Sequence, residues 1–271
     1  MSVHNEVKRI TTSVIRKMKA EGKKISMLTA YDYSMAKIFD EAGMDIILVG
    51  DSAANVMAGY DTTLPITLEQ MIYHAASVVR AAKRSMVIAD LPFGTYQGSA
   101  EKALDSAVRM MKESGVQGVK MEGGIEIEQA IRGIVNAGIP VMGHLGLTPQ
   151  SINQFGNFGL RAGNETEAHK LHEDCLALQT AGCFGIVLEK IPAKLAKTVT
   201  DQLLVPTIGI GAGPHCDGQV LVMHDLLGIN KGFKPKFLRL YLNLFDEIQG
   251  AVSSYINDVK SGSFPNEEEQ Y

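Results

Sequence analysis

The sequence predicts an α/β protein folded as a (βα)8 TIM barrel with an N-terminal helix and a long C-terminal helix. Three observations lead there. Eight short apolar runs alternate with longer amphipathic stretches, as successive βα units require. Gly43, Gly115, Gly138 and Gly182 each follow a helical stretch and precede an apolar run, where a left-handed residue ends a helix. Five of the runs end in or beside a residue that binds metal or carries protons, namely Asp51, Asp90, Glu122, His144 and Glu189. In α/β proteins the carboxyl ends of parallel strands converge on one site, so these residues are expected to meet. A doubly wound sheet is the alternative arrangement.

Residues 1–24 are read as an N-terminal helical segment, because Val14, Ile15 and Met18 fall on one helical face and Gly22 can end the helix. Its acids, and its direct run into a strand, favour a packed helix over a transit peptide. Strands are predicted at Ile25–Ala30, Ile46–Gly50, Met86–Asp90, Gly118–Glu122, Val141–His144, Gly185–Glu189, Thr207–Ile210 and Val220–Met223. Between them, Tyr33–Ala42, Leu68–Ala82, Ala100–Ser114, Ile127–Ala137 and Glu165–Ala181 carry the apolar spacing of helices. From Gly211 to Gln219 there is too little chain for a crossover helix, so the seventh connection is expected to be abbreviated. Beyond Lys234 and Pro235, the residues Phe237, Leu240, Leu244, Ile248, Val252 and Ile256 predict a long amphipathic helix whose stripe needs a partner surface. Residues 262–271, with Pro265 and three successive glutamates, read as a loosely ordered tail. With no linker, repeat or low-complexity block, 1–271 is read as a single barrel domain.

A chain of 271 residues with 45% hydrophobic content can bury one substantial core. A net charge of −4 argues against nucleic acid or an anionic membrane as partner, which leaves small molecules. No apolar run is long enough to cross a membrane, and the basic start is not followed by a signal-type apolar core. Three cysteines without CxxC spacing point to reduced thiols and a cytoplasmic protein.

Asp51 and Asp90 each follow an apolar strand. Two carboxylates buried near one another are costly unless a cation neutralises them, and hard oxygen ligands suit magnesium. Lys120 and Glu122 lie two residues apart and so point to the same side of their strand. Glu122 is a further candidate for the metal, directly or through water, and Lys120 for an anionic substrate group. Ion pairing between the two is the structural alternative. His144 ends the fifth strand, while the other six histidines fall on helices or loops and read as structural. Glu189 closes a mostly apolar strand, and Lys190 beside it must point to the opposite face, which makes Glu189 the candidate general base. The run Gly209-Ile210-Gly211-Ala212-Gly213 does not complete GxGxxG and reads as tight backbone near the site. Together these residues suit metal-assisted proton abstraction beside a carbonyl, with a 2-oxo acid as the chelating substrate.

Longer runs are more specific. Leu28–Asp32, Val49–Ser52, Lys120–Gly124, Gly143–Ser151, Pro206–Gly213 and Asp217–Val222 occur in the order in which they stand in the ketopantoate hydroxymethyltransferase family, which the chain resembles from about Ile25 to Tyr255. The resemblance implies a magnesium-dependent barrel enzyme. It would move a hydroxymethyl group from 5,10-methylenetetrahydrofolate to 3-methyl-2-oxobutanoate, giving 2-dehydropantoate for pantothenate biosynthesis. By position, Asp51, Asp90 and Glu122 match the family's metal site, and Asp51, Ser52, Asp90 and Lys120 its oxo-acid contacts. Glu189 matches the proton acceptor and His144 an active-site position. The family assembles as a homodecamer, a pentamer of dimers, which would cover the stripe of the C-terminal helix. Lys190 departs from the small or apolar residue usual there, and the acidic tail departs from the usual ending. A lyase of the phosphoenolpyruvate mutase and isocitrate lyase type is the nearest alternative, and a non-catalytic oxo-acid sensor the other; the retained Glu189 and Lys120 speak against the sensor.

Overall fold

A computed structural model describes residues 8–232 and 234–271. Residues 1–7, which include His4 and the start of the predicted N-terminal segment, lie outside them. The chain divides into two compact units, Met1–Val222 and Met223–Tyr271.

In the first unit eight parallel strands close into a barrel in sequence order. They are β1 (Ile25–Thr29), β2 (Ile46–Val49), β3 (Met86–Asp90), β4 (Gly118–Glu122), β5 (Val141–Gly146), β6 (Gly185–Glu189), β7 (Thr207–Ile210) and β8 (Gly218–Leu221). The helices are α1 (Thr12–Ala20), α2 (Tyr33–Glu41), α3 (Ala53–Val56), α4 (Leu68–Ala81), α5 (Ala100–Ser114), α6 (Glu128–Asn136), α7 (Ile152–Phe155), α8 (Glu165–Ala181) and α9 (Ala193–Gln202). Local chemistry sets their ends: Thr11, Asp32, Thr67, Ser99 and Asn164 accept hydrogen bonds from the first turns of α1, α2, α4, α5 and α8. Gly115 and Gly182 cap α5 and α8 in the left-handed conformation.

Alternation along the strands decides what fills the barrel. Ile25, Met27, Ile46, Leu48, Met86, Ile88, Met142, Val187, Ile208 and Val220 form one buried cluster with Ile15 of α1, and Val14 and Met18 of α1 pack against it. The N-terminal helix therefore plugs the amino-terminal end, as its predicted apolar face requires. Each buried aliphatic side chain there contributes roughly 1.5–3 kcal/mol. Two residues further along the same strands, the inward positions change character: Ile88 gives way to Asp90, Met142 to His144 and Val187 to Glu189, while β4 presents Lys120 and Glu122. The lower layers of the barrel are oil and the upper layer is charge.

β8 starts at Gly218, two residues earlier than the sequence predicts. Gly218 pairs with both Ile25 and Ile208, and a side chain there would lie 2.4 Å from the Ile25 carbonyl, so this glycine permits a close approach between strands. The seventh connection is abbreviated as expected and holds no helix. Cys175, Cys183 and Cys216 are free and buried.

The second unit contains α10 (Met223–Leu226) and α11 (Leu244–Ser261). The predicted long helix begins later than its apolar spacing suggests, because the amides of Tyr241 and Leu244 donate instead to the carbonyls of Leu226 and Leu227, at 3.0 and 2.9 Å. No residue of α11 is buried. Residues 262–271 are exposed throughout, with a local turn in which Glu269 N donates to Asn266 O at 3.1 Å. Among the described residues no helix is long and apolar enough to cross a membrane.

Candidate active site

The strand register brings the charged residues side by side. Asp90 is the register partner of Lys120, and Glu122 of His144. Lys120 Nζ lies 2.6 Å from Asp90 Oδ1 and 3.7 Å from Glu122 Oε1. His144 Nδ1 lies 3.2 Å from Glu122 Oε1, and its Nε2 lies 3.3 Å from Glu189 Oε2. Asp51 stands two residues past β2, where its backbone N–H donates to Asp90 Oδ2 at 2.9 Å. All five strand-end residues and Lys120 thus form one connected array. His144 is the fourth of six residues in β5, not its last, so the pleat rather than the strand end aims it. Ser52 is half-buried and exchanges a hydrogen bond with the Tyr31 hydroxyl at 2.8 Å.

Burial controls the charges. Burial first, and then the neighbouring Asp90 and Glu122, push the Asp51 carboxyl well above the usual carboxylate range. Asp90 is raised as well, since burial outweighs the ammonium of Lys120. For Glu122 the balance reverses: burial acts to raise it, but His144 and Lys120 hold it below its ordinary value. Burial also works against the Lys120 charge, yet the acids around it bind the proton more tightly than in water. For His144, burial and Lys120 oppose protonation while Glu122 and Glu189 favour it, and the result is about 9. The Lys120 ammonium also lies 3.2 Å from His144 Nδ1, a contact that alone would suit a neutral ring. We assign the imidazolium, because each ring nitrogen lies at ion-pair distance from a carboxylate and the positive charge is favoured by both.

Glu189 differs from the rest. Its side chain is 18% exposed, against 3–4% for Asp90, Lys120, Glu122 and His144. It is the one acid of the array open to an incoming molecule. Four carboxyls, Asp51, Asp90, Glu122 and Glu189, face one ammonium and one imidazolium. Fully ionised, this array carries two uncompensated negative charges in a buried setting, which is the donor chemistry a divalent cation satisfies. Among the described residues no three His, Cys, Asp or Glu side chains are already gathered as a ligand set. Glu122 is engaged on both oxygens, by His144 and Lys120 at Oε1 and by the backbone N–H of Gln150 at Oε2, 2.9 Å away.

Two buried polar residues of the site carry no assignment from sequence. Gln150 Nε2 donates to Asp51 Oδ2 at 2.8 Å and to the Leu91 carbonyl at 3.0 Å. The Tyr96 hydroxyl accepts from Glu122 N at 3.0 Å and donates to Gln150 Oε1 at 2.7 Å. Gln150 lies in a run that carries the family resemblance, which is a signal for it; Tyr96 stands alone in a loop and gives none.

The model of the family described as ketopantoate hydroxymethyltransferase matches residues 9–267. The chain is 65% identical, over 98% of both proteins, to a 3-methyl-2-oxobutanoate hydroxymethyltransferase of Cytophaga hutchinsonii. It is 64% identical, again over 98% of both, to the protein of that name from Flavobacterium johnsoniae. Among solved structures, phosphonopyruvate hydrolase in complex with oxalate and Mg++ superimposes with a TM-score of 0.62 at 12% identity, covering 95% of this chain and 92% of that one. A 2,3-dimethylmalate lyase of the PEP mutase/isocitrate lyase superfamily gives 0.58 at 17% identity, covering 92% and 98%. At such identities the likeness is one of fold alone.

Proposed function

The chain belongs to the ketopantoate hydroxymethyltransferase family and is an enzyme, a hydroxymethyltransferase of the pantothenate pathway, and from that premise we propose its donor, acceptor and mechanism. The acceptor is 3-methyl-2-oxobutanoate, the donor is 5,10-methylenetetrahydrofolate and the product is 2-dehydropantoate. The observation that carries this reading is the contrast between a dry, charged array and one solvent-touching carboxylate, Glu189, held beside His144.

Asp51 and Asp90 would hold a magnesium ion, with Glu122 helping directly or through water. When bound, the ion supplies Lewis acidity towards the carboxylate and oxo oxygens of the acceptor. Asp51, Ser52, Asp90 and Lys120 orient the oxo acid. Glu189 takes the proton from C3, and the electron pair left there forms the new carbon–carbon bond to the one-carbon unit of the folate. Water supplies the hydroxyl group that this transferred carbon gains, both of its bonds to folate nitrogens break, and the remaining proton of the water and the proton taken by Glu189 pass to those nitrogens as tetrahydrofolate leaves. Lys120 and the His144 imidazolium offset the negative charge that develops on the acceptor. The imidazolium also fixes the orientation of Glu189 through Nε2. We place the enzyme in the cytoplasm and read it as a homodecamer, a pentamer of dimers. The unburied apolar side of α11 supports a partner surface.

The test is tetrahydrofolate release from 5,10-methylenetetrahydrofolate, assayed with and without the oxo acid and with and without magnesium. Release that needs both is expected; release indifferent to both overturns the reading.

A further inference from the structure

Gln150 sits in the single turn Pro149–Ser151 that follows β5, and it is buried. A buried amide side chain has two donors and two acceptor positions to satisfy. Gln150 satisfies all four. Its Nε2 donates to Asp51 Oδ2 and the Leu91 carbonyl, and its Oε1 accepts from the Tyr96 hydroxyl and from Gln97 Nε2 at 2.9 Å. Its backbone N–H meanwhile holds Glu122 Oε2. Among the described residues Gln150 alone hydrogen-bonds to both Asp51 and Glu122.

These partners fix the amide's orientation, since a carboxylate and a backbone carbonyl can only accept. They also restrict the residue type. A glutamate cannot donate twice from one terminal atom, and a lysine would satisfy the Asp51 charge itself, as Lys120 does for Asp90. A neutral amide holds the Asp51 carboxylate in place and leaves its negative charge for a cation.

We infer that Gln150 is a positioning residue of this site, a neutral clamp that orients Asp51 and Glu122, across the mouth of the barrel, for the divalent cation and the oxo acid. It touches neither reacting carbon nor proton. The role rests on the metal-assisted reaction proposed above.

The test uses the full-length protein and two variants. In Gln150→Met the volume stays and every side-chain hydrogen bond goes. Magnesium chloride titrated calorimetrically, without oxo acid, should bind about 10–100-fold more weakly, the range typical when a partner of a metal-binding carboxylate is removed. The KM for 3-methyl-2-oxobutanoate should rise in parallel, while kcat at saturating magnesium and oxo acid stays within a few-fold of wild type. A purely structural glutamine would instead lower the urea midpoint and leave the magnesium affinity unchanged, so a wild-type dissociation constant in Gln150→Met overturns the inference. If that variant does not fold, Tyr96→Phe, which removes the hydroxyl that holds Oε1, should weaken magnesium binding by a smaller factor; wild-type affinity there is equally fatal. Wild-type protein whose tetrahydrofolate release ignores magnesium overturns the reaction and this role together. Wild-type dependence with unaltered variants overturns only the role.

Discussion

In the proposed mechanism Glu189 and Asp51 divide the labour of the site, and single substitutions should separate them. Gln at 189 keeps the shape of the side chain but cannot take a proton. Glu189→Gln is expected to retain magnesium and oxo-acid binding and to lose most deuterium exchange at C3 of 3-methyl-2-oxobutanoate; full exchange would remove Glu189 as the base. Asp51→Ala should act the other way, weakening magnesium binding by calorimetry at least ~10-fold, on the scale of lost metal partners. The charges also make a prediction about pH. His144 is raised from the ordinary histidine value of 6.5 to about 9, so its charge stabilises the folded state fully below 6.5 and the contribution fades as pH rises through about 9. Asp51 and Asp90 are raised too, so the folded state holds their protons more tightly and loses stability as pH climbs above the ordinary carboxylate range. Both effects have one sign. The urea midpoint of the metal-free protein should fall between pH 6 and pH 9.5, values chosen at about the two ends of the histidine window. The fall should shrink in His144→Gln, and magnesium should raise the midpoint by binding the folded state. At this scale sequence reading reaches the strand-borne charges, because a period of two fixes the side each one faces. That period does not reach Gln150, which only the family run signals, or Tyr96, which nothing signals; their partners Asp51 and Gln150 lie 99 and 54 residues away along the chain and become neighbours only when the barrel closes.

Among the elements, the end of β5 is tightly constrained. Gly146 has φ +90°, and a side chain there would lie 2.2 Å from the backbone oxygen of Glu189. No flexible group can move aside. Gly146→Ala is therefore expected to cost about 2 kcal/mol or more from backbone strain and clash. For a domain of this size that is roughly a 4–8 °C fall in Tm. Activity should fall further than stability suggests, since the displaced carbonyl belongs to Glu189; an unchanged melting curve would contradict the geometry. The strands themselves were legible as aliphatic runs between glycine-capped helices. Where reading by pattern misplaced an end, backbone contact between distant segments decided it. Gly218 enters β8 because Ile25 presses on it, and α11 starts late because Leu226 and Leu227 claim the amides before it.

For the whole molecule, the division of the barrel into an apolar lower half and a charged upper layer was written in the alternation of the strands. The use of α11 was not, because a stripe names no partner. Phe245, Ile248, Val252, Tyr255, Ile256 and Val259 are all exposed on it. Val252→Asp combined with Ile256→Asp should shift the protein to smaller species in sedimentation velocity with little loss of helix content. A wild-type chain that sediments at 29.3 kDa would end the homo-oligomer reading. The barrel's seams are also unequal. β7 and β8 share two register pairs where β5 and β6 share five, and β8 closes on β1 with four. Local opening begins where the fewest backbone bonds resist it. The ring is therefore expected to open first at β7–β8, among strands that bear none of the charged array, so amide protons there should exchange before those of β5 and β6 in hydrogen–deuterium exchange; equal protection would contradict this. A gap opening there would leave the charged array on the intact arc of the wall.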